Sequence, residues 1–372
     1  MITIKEALTK KEMKEFVLFS FELYKNNPYW IPPLIAEELE TFDKTKNPAF
    51  QTAEAHFYLA YKDNKIVGKI AAIINWDEVN QLEKRKVRFG WFDVIDDIEV
   101  TKALLDKVVA LGKKHEMDHI EGPMGFSNLD KVGLLSEGFD QIGNMITWYS
   151  MPYYISHFEQ LGFSIEKEYH ESTFSFNDID PTQFQKFSGL IKERYELKVL
   201  NFSKTKDIMP YVDQMFELFN TSYSKLQSFV PINEIQKAYF KKKYISFINP
   251  EFIKFILDKN GNMIAFAIVM PGFAEALKKA NGKLFPFGFY HLLQARKYSK
   301  EVVFYLIGIA PEYQSKGITA ILFDEYHKVC QAKGIETCIR TPELKENLAI
   351  QNLWKNFNSK INKRRRTYRK AL

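Results

Sequence analysis

The sequence predicts a mixed fold, α+β or α/β in class. It is built as two lobes, each a mixed, mostly antiparallel β-sheet flanked by helices. Three observations carry this reading. The apolar run 302–307 reads as a buried strand that passes Pro311 and a turn at 312–316. It enters a helix opening at Gly317, with apolar residues at Ile318, Ile321, Leu322, Tyr326 and Val329. Two hairpin signals, Lys62-Asp63-Asn64-Lys65 and Asp258-Lys259-Asn260-Gly261, stand between strand-like runs in the two halves of the chain. Finally, 372 residues exceed one typical domain.

The elements follow in order. Residues 2–4 are a short strand, and 10–25 an amphipathic helix with Met13, Phe16, Val17, Phe21 and Leu23. Pro28, Pro32 and Pro33 cannot continue that helix, because proline removes a donor and fixes the backbone. Strands at 57–61, 66–75 and 87–94 lead to a helix at 100–114 and a strand at 119–122. A glycine-rich loop then reaches Gly143, followed by a helix at 153–163 and a strand at 164–176. Asp178-Ile179-Asp180-Pro181 marks the boundary, dividing the chain into 1–178 and 179–372. The second half has a helix at 183–195, a strand at 197–202, and helices at 207–222 and 233–245. A hairpin (252–257 and 263–269) and an insertion (271–298) lead to the central strand and helix. A strand at 335–339, a helix at 347–357 and a basic segment at 361–370, read as a tail or a final strand, end the chain. The matching hairpin tips suggest a diverged internal duplication.

Composition narrows the function classes. The chain is 46% hydrophobic and 26% charged, with 32 Phe and 19 Tyr, so it can fill large cores and line an apolar pocket. A net charge of +6 suits an anionic ligand without pointing to nucleic acid. Cys330 and Cys338 are expected as buried free thiols, and no Cys/His cluster has metal-ligand spacing, so no metal is expected. The first sixteen residues lack the apolar run of a signal peptide, and no stretch is long enough to span a bilayer. A cytoplasmic location is expected.

A strand feeding through a turn into a helix exposes backbone N–H groups at the positive end of the helix dipole, which suits phosphate. Gly317 would let a phosphate approach the backbone, and Lys316 adds a mobile charge. Pro311, Gln314 and Gly317 give the order P-x-x-Q-x-x-G. This resembles the acyl-CoA-binding segment of the GNAT superfamily of N-acyltransferases, which usually writes Q/R-x-x-G-x-G/A. Thr319 departs at the last position. The closing segment of the first half, YYISHFEQLGF, and the order of its elements also look GNAT-like.

The resemblance implies an acyl-CoA-dependent N-acyltransferase acting on an amine or lipid-like acceptor, with acyl-CoA as cosubstrate. CoA would lie on Ile309, Gln314, Ser315, Lys316, Gly317, Ile318 and Thr319. Asn347 and Trp354 fall on the family's last-helix pattern, where Trp354 takes the place of the usual acid tyrosine. An acid is then sought in Tyr305, Tyr313 or Tyr326, and a base in Glu301, Glu336 or Glu275. The first lobe has Asp93, Asp96 and Asp97 at its strand–helix junction. These carboxylates would repel a pyrophosphate, so that lobe is expected to serve the acceptor side or a structural role. Phe285, Phe287, Phe289 and Tyr290 beside the central strand suggest room for a medium or long acyl chain. Two other readings stand: an aminoacyl-tRNA-dependent transferase of the tandem GNAT-like kind, and a non-catalytic acyl-CoA-binding protein. The basic end, with seven Lys and Arg at 360–370, reads as a solvated tail with weak attraction to an anionic membrane surface; nucleic acid is not expected.

Overall fold

The structure, a computed structural model, describes residues 1–127, 129–224, 229–245, 248–354 and 357–372. β1 (Ile2–Glu6) leads to α1 (Lys10–Leu23), which begins where Thr9 and Glu12 close a reciprocal capping box. α2 (Ile35–Phe42) follows the proline loop. β2 (Ala53–Lys62) and β3 (Lys65–Asn75) form the expected hairpin, and Asp63 and Asn64 at its tip are both left-handed (φ 50° and 60°), as a tight hairpin turn requires. α3 (Trp76–Leu82), β4 (Lys86–Val94), α4 (Ile98–Lys114), β5 (His119–Gly122), β6 (Leu134–Glu137), α5 (Tyr153–Gln160) and β7 (Ser164–Ser175) complete this half.

The second half opens with α6 (Pro181–Arg194), β8 (Lys198–Asn201), α7 (Thr205–Ile208), α8 (Val212–Tyr223) and α9 (Glu234–Phe240). Pro210 splits the single helix expected at 207–222. β9 (Ile253–Leu257) and β10 (Met263–Pro271) make the second hairpin, and the insertion forms two helices, α10 (Ala274–Ala280) and α11 (Gly288–Tyr298). β11 (Glu301–Ile309), α12 (Ile318–Lys333), β12 (Thr337–Leu344), α13 (Leu348–Trp354) and β13 (Lys360–Ala371) follow. Part of the helix expected at 347–357 lies outside the described residues, at 355–356.

One sheet runs through both lobes in the order β1-β2-β3-β4-β5-β13-β7-β12-β11-β10-β9-β8, with β6 paired to β13. The closing strands are exchanged. β7, from the first half of the chain, pairs with β12, while β13, the last strand of all, pairs with β5. β7 and β13 also pair with each other, from Lys360–Thr173 to Arg369–Ser164. The division at 178/179 therefore divides the chain and not the sheet.

This exchange corrects the expectation of a solvated basic tail. Alternation along β13 turns Lys363, Arg365 and Thr367 inward, and Arg365 is only 1% exposed. Arg365 donates to Glu171 and to the Trp148 carbonyl, at 2.6 Å for the latter. Lys363 lies 3.4 Å from the same carboxylate and donates to the Ile142 carbonyl at 2.9 Å. Burial raises the Glu171 pKa, but the two cations outweigh it and hold the group below its ordinary range. Arg364 and Arg366, on the other face, pair with Glu137 and Glu168.

Candidate active site

The wedge between β11 and β12 builds the site. The two strands run parallel and pair from Glu301–Thr337 to Phe304–Arg340, then part. On its other edge β11 stays paired to β10 as far as Ile309, with one extra residue, Tyr305, bulged between Phe304 and Leu306. The bulge turns the strand away from β12 and opens the gap. Tyr223 donates its hydroxyl to the Ile307 carbonyl at 3.0 Å, and Gln314 Nε2 donates to that of Ile309 at 3.2 Å. A strand residue points its N–H and C=O to the same edge, so the Ile307 and Ile309 N–H groups also face the gap.

At the mouth of the gap the chain turns into α12. Ser315 and Gly317 are left-handed (φ 62° and 79°), and Gly317 caps the helix with no side-chain hydrogen bond. The first turn of α12 carries no acid. Among the described residues, no acceptor takes the N–H groups of Ser315, Gly317, Ile318 or Thr319. Lys316 Nζ lies 5.1 Å from the Tyr313 ring centroid and 5.4 Å from that of Tyr195. The space beside Gly317 is not open to a ligand, however. A Cβ there would come within 2.6 Å of Ile191 of α6, so the glycine serves its positive φ and helix packing.

No protein-family model matches the chain. Over its whole length it is similar to a tandem GNAT protein from the clavulanic acid biosynthesis pathway. The two share 9% identity at a TM-score of 0.59, and the match covers 98% of that protein. A GCN5-related N-acetyltransferase from Sphaerobacter thermophilus also matches over the whole of this chain, with 9% identity, a TM-score of 0.54 and 95% of its own length covered. The chain has the tandem GNAT fold. In sequence it is similar to protein YghO of Escherichia coli, 27% identical over 376 residues, spanning 99% of this chain and 95% of that one. It is also similar to the bacterial ceramide synthase of Caulobacter vibrioides, 25% identical over 311 residues, 82% of this chain and 80% of that one.

Within this GNAT fold the expected site residues separate. Tyr305, Ile309, Tyr313, Gln314, Ser315, Lys316, Gly317, Ile318 and Thr319 gather at the open end of the wedge or the turn at its mouth. Glu301 and Glu336 stand at the closed end. Glu301 begins β11, eight residues before Ile309, roughly 26 Å along an extended strand. Burial and Glu275 raise its pKa. Glu336 is exposed and pairs with Lys300 at 3.7 Å. Asn347 accepts from the Ile350 N–H at 3.3 Å and so caps α13. Trp354 is 2% exposed, packs on Phe304 and donates its indole N–H to Glu343 at 2.8 Å. Tyr326, also buried, donates to the carbonyls of Phe252 and Ala267. The aromatics of the insertion face solvent, with Phe285 76% and Phe287 70% exposed, so they line no acyl pocket.

Sequence reading missed Asp130. The first-lobe loop that carries it lies against the second lobe, where Leu129, Met145 and Ile146 pack on the second core. Asp130 accepts from the Ser127 N–H at 2.8 Å and the Ser127 hydroxyl at 3.1 Å, both through Oδ2. Gly125 lets the side chain in, since a Cβ there would meet the Asp130 Cβ at 2.4 Å. Burial raises its pKa, against the pull of Ser127, Lys243 and Arg88. Burial first, then Asp130 and Tyr223, push the Tyr305 phenol above its usual range. The only sequence signal was a glycine-rich loop, which has no periodicity to reveal where a side chain points.

Proposed function

We propose that this chain is an acyl-CoA-dependent N-acyltransferase with one donor site, in the second lobe. The observation that carries the reading is the uncapped, acid-free N-terminus of α12 at the mouth of the β11–β12 gap. In this reading the N–H groups of Ser315, Gly317, Ile318 and Thr319, with the Lys316 side chain, hold the pyrophosphate. The acyl carbonyl lies along the β11 edge, where the Ile307 and Ile309 N–H groups face the developing oxyanion. The acceptor enters beside the first-lobe loop. Asp130 takes one proton from its ammonium, and the amine nitrogen forms the C–N bond as the C–S bond breaks. Tyr305, kept protonated by burial, gives its proton to the leaving thiolate, and the second amine proton restores it.

The acceptor class we propose is a long-chain amine, with a medium or long acyl donor. Support comes from the similarity to the bacterial ceramide synthase, since a ceramide is an amide of a long-chain amino alcohol. The first lobe then serves the acceptor side. The test incubates purified protein with acyl-CoAs of increasing chain length and a long-chain amino alcohol, following free thiol and amide by mass spectrometry. Amide formation that needs both substrates is expected; no thiol release with any pair overturns the reading. A second reading, an acyl-CoA binder without turnover, draws on Trp354, which leaves no acid at the last-helix position. Binding without turnover in the same assay would select it.

A further inference from the structure

We infer that the outer face of α11 and the loop before it dock on an anionic lipid bilayer. Among the described residues, fifteen large apolar side chains are exposed, and six of them lie within one short segment: Phe285, Phe287, Phe289, Tyr290, Leu293 and Tyr298. Five of these six are aromatic, and elsewhere in the chain Phe187 is the one exposed aromatic in that set. Scattered apolar residues are normal on a surface, but a concentrated patch marks a contact.

The rings cannot turn inward, because the inner face of the hairpin is occupied. Leu292 packs with Phe273 and Leu277 of α10 and with Ile31 and Leu34 of the proline loop. The Gly282 carbonyl accepts from Ile35, and Arg296 donates to the Ile248 carbonyl. The hairpin is thus fixed on one side and apolar on the other.

Charge selects the occupant. Between Pro271 and Lys300 the chain has six Lys and Arg (278, 279, 283, 296, 297 and 300) against one acid, Glu275. Lys279, Lys283 and Lys297 are exposed beside the aromatics. Aromatic side chains with a cationic fringe match the interface of a bilayer bearing anionic headgroups. A second copy seated on the same face would bring these lysines against one another. The inference does not rest on the acyl-transfer reading, because membrane docking is measured without turnover.

The experiment is flotation of the full chain with phosphatidylcholine vesicles, with and without phosphatidylglycerol. Binding is expected with phosphatidylglycerol and should weaken as salt is raised. The Lys279→Glu, Lys283→Glu, Lys297→Glu triple variant should bind on the order of a hundredfold more weakly. Phe285→Ser with Phe287→Ser should also lose binding while keeping the wild-type melting temperature. Failure of the wild type to float, or equal flotation of wild type and both variants, overturns the proposal. A dimer in sedimentation that the serine variants dissolve, without vesicle binding, would assign the face to a second copy and overturn it as well.

Discussion

The strand–helix junction of the first lobe and that of the second share a plan and differ in what fills them. β4 and β5 pair in parallel only from Lys86–His119 to Arg88–Glu121, as β11 and β12 do over four residues, and then part. β4 is bulged too: Trp91 and Phe92 face the single Ile70, with Trp91 at φ 45°. In the first lobe, however, side chains take the strand edge at Val94. Tyr154 accepts the Val94 N–H at 3.0 Å, and Tyr153 donates to the Val94 carbonyl at 2.6 Å. Asp93 accepts from Ser20 and Tyr24, each at 2.6 Å, and pairs with Lys69 at 3.4 Å. Asp97 caps α4 through the Glu99 N–H and pairs with Lys62. The three aspartates expected to repel phosphate together thus have separate partners, with Asp96 3.2 Å from His157. In both lobes side chains bond the carbonyls at the gap, but only in the first does one, Tyr154, also take a strand N–H there.

The largest effect should come from breaking the first-lobe junction. Asp93→Ala strands Lys69, a buried cation whose pKa burial already lowers, and should cost about 3–5 kcal/mol of stability. Donor binding should survive in whatever protein remains folded. A denaturant melt and a CoA titration on the same sample check both; loss of CoA affinity with unchanged stability would show that the first gap holds the donor.

Next is the candidate site. Asp130→Asn should lower kcat by about 10²–10⁴ while leaving CoA affinity unchanged, because it removes a base and not a phosphate contact. An unchanged kcat would remove Asp130 from the chemistry. Thr319→Glu sharpens the contrast by giving α12 the kind of acid that α4 has. It should stabilise the helix by about 0.3–1 kcal/mol through the dipole. It should also weaken CoA binding by roughly ten to a thousandfold through charge repulsion. Opposite signs in melting temperature and calorimetric affinity are the readout, and parallel changes would move the pyrophosphate elsewhere. This substitution is cleaner than Gly317→Glu, where positive φ and contact with Ile191 would disturb the fold as well.

Local signals made most of this fold legible. Hairpin tips at Asp63-Asn64 and Gly261 and the turn at Gly317 all specify backbone states that neighbouring residues enforce. What stayed hidden was nonlocal. The exchange of β7 and β13 joins Glu171 to Arg365 across the chain, and neither strand's own pattern names its partner. Because β13 alternates its buried cations with paired surface ones, its composition reads as a charged end. The aromatics at 285–290 do not line an acyl pocket, because α11 already packs through Leu292 and Gly288 and leaves them on its outer face. Of the candidate site, the backbone of the turn was legible and Asp130 was not, since it sits on a first-lobe loop without periodicity that packs against the second core.

The smallest expected effect separates Glu171 and Asp130 by sign. The folded-state pKa of Glu171 lies below its ordinary value, so its contribution to stability is present above the unfolded value and is lost as pH falls through the folded one. For Asp130 burial raises the folded-state pKa, so the folded protein holds that proton more tightly than the unfolded chain does. Ionising Asp130 therefore costs stability as pH rises from the unfolded value through the raised one, and the cost persists at neutral pH. Asp130→Asn should then be as stable as the wild type at neutral pH, or slightly more so, although it removes the proposed base. Glu171→Gln should be less stable there, and its deficit should shrink in acid. In the active protein kcat/KM should climb with pH through the raised Asp130 value, since the base must be ionised to accept a proton. Melting curves of both variants across acid to neutral pH provide the comparison. If Asp130→Asn is markedly destabilised at neutral pH, the carboxylate belongs to the scaffold, and the base must be sought elsewhere along the gap.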